Sequence, residues 1–201
     1  MTGRRSFLVA TAGALLLSAC GISSGSGPGL GTTTLPVPSA RPTSVTPGSV
    51  QDPQLASALD AAARHYWTVE SAVYNDPRTN LGLVDSAATG QWAINLRYQG
   101  QQIIDQNIKV TGTLVVVRTN VARVTPSPVV SGQPATAVVK TCKNVSAVQF
   151  IKPDGSSGTD PNRLPQNQST LTLASPNPTD PAAWRVSDIA QGATVPCDSA
   201  S

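Results

Sequence analysis

Only one glutamate, Glu70, occurs in the 201 residues, and it lies in HYWTVESAVYND, which also holds the single histidine, His65, and the tyrosines Tyr66 and Tyr74. On a helix, side chains four apart are separated by about 40°, so Glu70 falls beside Tyr66, with Trp67 and Tyr74 close on the same wheel. A carboxyl among apolar groups keeps its proton to higher pH than one in water, the property that a general acid or base needs near neutrality. The plainer reading is a carboxylate bordering the core and paired with Arg64 or Arg97. His65 has no Cys or His partner at a zinc-ligand spacing, so no metal site is expected. One residue from Tyr66, it turns about 100° toward the edge of the helix, partly exposed. The glycines of SGSGPGLG have no Lys-Ser/Thr after them and no strand before them, which excludes a phosphate-binding loop. No serine sits in G-x-S-x-G. No cofactor is expected.

The three cysteines, Cys20, Cys142 and Cys197, divide by context. Residues 3–21 carry two arginines, an apolar run from Phe7 to Leu17, and small residues before Cys20. That run is shorter than the roughly 20 residues a permanent membrane span requires, so residues 1–19 read as a removable export signal. Leu17, Ser18, Ala19 and Cys20 resemble a bacterial lipobox, which makes Cys20 the lipidated first residue of the exported chain. Arg4 and Arg5 before Ser6, Phe7 and Leu8 resemble a twin-arginine export consensus. With Cys20 on a lipid, Cys142 and Cys197 remain as one pair. Outside the cytoplasm such a pair is more often a disulfide than two separate buried thiols or a redox site, and the spacing excludes CxxC.

Residues 20–50 are dominated by Gly, Ser, Thr and Pro and hold one charge, Arg41. They bury too little apolar surface to offset the entropy of ordering and are expected to form a tether behind the lipidated cysteine. The 14 basic and 11 acidic residues give a net charge of +3, but without Arg4 and Arg5 the balance is 12 against 11. With no Lys/Arg cluster interleaved with aromatics, nucleic-acid binding is not expected.

Residues 51–201 suffice for one domain. Asp52 and Pro53 are start signals, and Leu55, Leu59, Ala62, Tyr66, Val69 and Val73 form one stripe of a helix of about 20 residues ending before Pro77. RTNLGLVDSAATGQ reads as a loop or short helix. A second helix is expected from near Thr89 to about Asn107, with Trp92, Leu96, Gln99 and Ile103 on one face. The β-branched runs 109–124 and 135–151, separated by SPVVSGQP, read as an antiparallel pair; STLTLAS and AAWRVSDIA supply two further strands. Helices followed by antiparallel strands define an α+β class.

HYWTVESAVYND in the first helix, ATG before the second, Cys142 on a strand, and the ending Trp184, Val186, Asp188, Gly192 and Cys197 together resemble the actinobacterial lipoproteins with an NTF2-like domain. In that cone-shaped, ketosteroid-isomerase-like fold a curved sheet wraps around N-terminal helices. A cystatin-like sheet around one helix is the alternative. The resemblance implies a cavity whose polar groups would be Glu70, Tyr66, Tyr98 and Asp105. In enzymes of the fold such groups perform acid-base chemistry, which makes an isomerase or dehydratase the alternative function. No catalytic motif of those enzymes carries over residue by residue. The leading expectation is therefore a non-catalytic lipoprotein at the outer face of the cell membrane, binding an envelope protein or a small apolar ligand.

Overall fold

The computed structural model describes residues 52–190 and 195–197. The export signal, the lipobox at Cys20 and the tether lie outside the described residues.

Helix α1 spans Pro53–Asn75. It starts where the sequence says it must: the Asp52 carboxylate accepts from the Gln54 and Leu55 N–H groups, and Pro53, which has no N–H to satisfy, occupies the first turn. Its buried face, Ala58, Leu59, Ala63, Tyr66, Trp67, Val69 and Val73, is wider than the expected stripe because Trp67 and Ala63 are also covered. Asp76 ends α1 and its side chain caps the next turn. The loop-or-helix stretch resolves into helix α2 (Pro77–Asn80), a 3-10 turn at Leu81–Leu83, and helix α3 (Val84–Ala87). Helix α4 covers Gly90–Asp105, with Trp92, Ala93, Leu96, Gly100 and Ile103 inward. Gln99, expected on that face, is exposed.

The two long β runs differ from expectation, since each is split. The first gives β1 (Lys109–Thr111) and β2 (Val115–Thr125); the second gives β3 (Ala135–Asn144) and β4 (Gln149–Ile151). Strand β1 pairs with β4 in a small antiparallel sheet, while β2 pairs with β3 in the main one. Gly112 explains the break: its φ is 80°, and a Cβ there would lie 1.9 Å from the Ala147 carbonyl oxygen, so the chain turns at a point only glycine can occupy. Strands β5 (Gln166–Ser175) and β6 (Arg185–Ile189) complete the main sheet, ordered β2-β3-β5-β6 and antiparallel throughout. Helices packed on antiparallel sheets make the domain α+β, as read from the sequence.

Period-two alternation places the inner face. Ala135, Ala137, Val139 and Thr141 on β3 lie in register with Ser175, Leu173, Leu171 and Ser169 on β5. Helix α1 contacts β2, β3, β5 and β6. Trp67 binds the two layers together, its indole N–H donating to Thr141 Oγ at 3.1 Å. The outer face carries Cys142, bonded to Cys197 across 55 residues of sequence. Gln168, in register with Cys142, donates its N–H to the Val195 carbonyl at 2.9 Å, so the chain's last described segment lies along β5. The expected disulfide is present.

Candidate functional site

The inner face of the sheet changes character along its strands. At one end it is apolar, with Ala137, Val139, Leu171 and Leu173 under the first half of α1. At the other end the same row continues as Thr141 and Lys143 on β3, opposite Ser169 and Asn167 on β5. Beyond Trp67 this polar end leaves a cavity of about 460 Å³, between the second half of α1, the small β1–β4 sheet and β5.

Glu70 and Lys143 face this cavity from helix and sheet, both partly solvent-accessible. Glu70 is positioned by a relay inside the helical layer. Trp92 Nε1 donates to the Tyr66 hydroxyl at 2.8 Å, and that hydroxyl donates to Glu70 Oε1 at 2.9 Å. Burial pushes the Glu70 carboxyl above its ordinary value, opposed by the Lys143 charge and the Tyr66 hydrogen bond. The Lys143 ammonium sits 3.6 Å from the centroid of the Trp67 ring. Burial lowers its pKa, and the Glu70 charge acts in the opposite direction. The site thus holds an acid and a base whose environments move their pKa values toward one another, but the two do not form an ion pair: the ion pairs among the described residues are Asp60–Arg64 at 3.0 Å and Asp85–Arg97 at 2.5 Å. Glu70 therefore pairs with neither Arg64 nor Arg97, both of which are committed to aspartates on the surface.

Of the four expected cavity groups, the structure brings one to the cavity wall and one directly behind it. Tyr66 is fully buried, and its hydroxyl is occupied on both sides, so it orients Glu70 and touches no ligand. Burial, with the Glu70 charge second, raises its pKa further and keeps it a donor. Tyr98 and Asp105 do not reach the cavity. Each lies two residues beyond an inward position of α4, Leu96 or Ile103, which turns it about 200° toward solvent. Tyr98 is 64% exposed and accepts from Gln102, and Asp105 accepts from Gln101 at 2.8 Å. His65 is exposed, its Nε2 3.0 Å from the Ser86 hydroxyl. Among the described residues no group of three or more His, Cys, Asp or Glu side chains could hold a metal ion. No helix among them is long and apolar enough to cross a membrane.

Sequence reasoning missed Lys143, Asn167 and Tyr74 as cavity residues. A signal for Lys143 existed. It shares parity with Ala135, Ala137, Val139 and Thr141, so extending that alternation two residues turns a lysine inward. Tyr74, one turn beyond Glu70, lines the cavity with its ring while its hydroxyl donates to Gln99 on α4. Burial and the Glu70 charge raise its pKa.

Fold and site together define an α+β domain with a cavity, polar on one wall and apolar on the other, between a long helix and an antiparallel sheet. No protein-family profile matches the sequence, and no curated protein matches it. Among solved structures the chain is similar to the intermembrane space region of the chloroplast protein ARC6, with a TM-score of 0.50 and 9% identity over 73% of this chain and 98% of that one. At that identity the likeness is one of fold alone.

Proposed function

We propose that this protein is a non-catalytic binding lipoprotein of the NTF2-like class, exported through a twin-arginine signal, anchored at Cys20 to the outer face of the cell membrane, and taking a small molecule into the cavity between α1 and the sheet. The observation that carries the binding reading is the cavity itself. Its volume of about 460 Å³ lies within the roughly 300–1,000 Å³ range of small-molecule sites, and its lining combines an apolar wall, with Val110, Leu114 and Phe150, and a polar one, with Glu70, Lys143 and Asn167. Helices at the start of the domain, covered by an antiparallel sheet, support the NTF2-like assignment; the lipobox residues Leu17 to Cys20 support the anchor.

Native mass spectrometry of the protein released from membranes under mild detergent tests the cavity. It should reveal a bound small molecule that is lost in Ser71→Trp, a substitution that fills the cavity from α1. A wild-type mass equal to that of the acylated polypeptide alone would sink the reading. The anchor has its own check. Cys20→Ala should abolish acyl labelling and membrane retention, and unchanged retention rules the lipobox out.

One observation favours a second reading, an acid-base isomerase or dehydratase: Glu70 and Lys143 face one cavity with pKa values displaced in opposite directions. In that case Glu70 is the proton-transferring group and Tyr66 only positions it. A substrate whose turnover is abolished by Glu70→Gln would replace the binding reading with this one.

A further inference from the structure

The cavity is amphipathic, and its polar wall presents the Lys143 ammonium with no oxygen to meet it. Val110, Leu114, Val148 and Phe150 supply apolar surface. Opposite them, Lys143 and Asn167 are register partners on β3 and β5, so their side chains emerge next to each other on one face. Asn167 is 7% exposed, and it lines the cavity beside Lys143. The Lys143 ammonium makes its contact with the Trp67 ring face and has no oxygen acceptor among the described residues.

The charge inventory points the same way. One acidic and two basic side chains line the cavity: Glu70, Lys143 and Arg163. Arg163 is held by donating Nη2 to the Val145 and Val148 carbonyls at 2.9 and 2.8 Å, bonds that leave its charge uncompensated. With Lys143 protonated, as the neighbouring Glu70 charge favours, two cations face one carboxylate, and the positive excess grows when Glu70 is protonated. A cationic ligand would meet this excess. A wholly apolar ligand, the expectation from sequence, would leave the Lys143 and Asn167 donors desolvated and unmet.

We infer that the cavity binds a small amphipathic anion, with a carboxylate-type head on Lys143 and Asn167 and a hydrocarbon body along Val110, Leu114 and Phe150. This rests on reading the cavity as a ligand site. The Glu70 oxygen not bonded to Tyr66 remains for the head group when the carboxyl is protonated.

The test uses the full chain with its disulfide intact and three probes of one shape at neutral pH: phenylbutyrate, phenylbutanol and phenylbutylamine. Titration is followed by NMR at the Asn167 side-chain amide. Phenylbutyrate should shift that resonance and bind about tenfold or more tightly than the alcohol, as a charge-assisted hydrogen bond supplies. Lys143→Met should reduce its affinity to that of the alcohol while leaving the alcohol's unchanged, and Lys143→Arg should restore the preference. Asn167→Leu is a second, uncharged variant expected to weaken phenylbutyrate selectively. Binding of the alcohol or the amine as tight as that of phenylbutyrate overturns the anion assignment and leaves the ligand cavity standing. No response at Asn167 to any of the three overturns both.

Discussion

Glu70 shows how one residue can be found from sequence while its partners are not. Its position beside Tyr66 follows from four-residue spacing, and the 2.9 Å hydrogen bond between them is that spacing realised. The arginines read as its partners are taken by Asp60 and Asp85, and the charge that acts on it comes from β3, through Lys143. Burial holds the Glu70 proton more tightly in the folded protein than in the unfolded chain, whose ordinary value is 4.5. Its contribution to stability is therefore complete below that value and is lost as the pH rises through the folded pKa. Glu70→Gln keeps an acceptor for Tyr66 but cannot ionise. Measured by urea midpoints, wild type should lose stability relative to this variant as the pH rises above 4.5; parallel pH profiles would show that Glu70 is not held protonated. Tyr98 and Asp105 fail for a comparably simple reason, being two residues out of phase with the inward face of α4.

Among the elements, the corner between β1 and β2 decides whether a cavity exists. An unbroken strand through residues 109–125 would carry β1 into the main sheet. The turn at Gly112 instead sends β1 to β4 and opens the space that Val110 and Phe150 line. The corner is tied to the end of α1, where Asn75 Nδ2 donates to the Gly112 carbonyl at 3.0 Å. Gly112→Ala would place a methyl group 1.9 Å from the Ala147 oxygen at a φ of 80°. It should destabilise the domain by about 2 kcal/mol or more. A chemical-denaturation midpoint within error of wild type would show that the corner is not what holds the two sheets apart. The two helices needed no such correction, because their caps and apolar periodicity are local properties.

On the scale of the whole molecule, the Cys142–Cys197 bond fastens the end of the chain to a central strand of the main sheet. Closing 55 residues of sequence restricts the unfolded chain, a contribution of about 4 kcal/mol on the chain-entropy account. The paired Cys142→Ala, Cys197→Ala variant should lose about 2–5 kcal/mol in urea unfolding, and a loss under about 1 kcal/mol would mean that the tail is held without it. The tail covers the outer face at Cys142, which explains why Thr141 and Cys142 are both buried where the strand's alternation calls for one. By itself the sequence determined the α+β class, the two long helices, the cysteine pair and the Tyr66–Glu70 neighbourhood, because caps, periodicity and cysteine number act over short distances or by elimination. Tertiary structure alone decided which strands meet, that Lys143 and Asn167 stand side by side, and that a cavity opens over them. Those juxtapositions depend on pairing register between segments far apart in the chain, and no local pattern of residue types encodes that register.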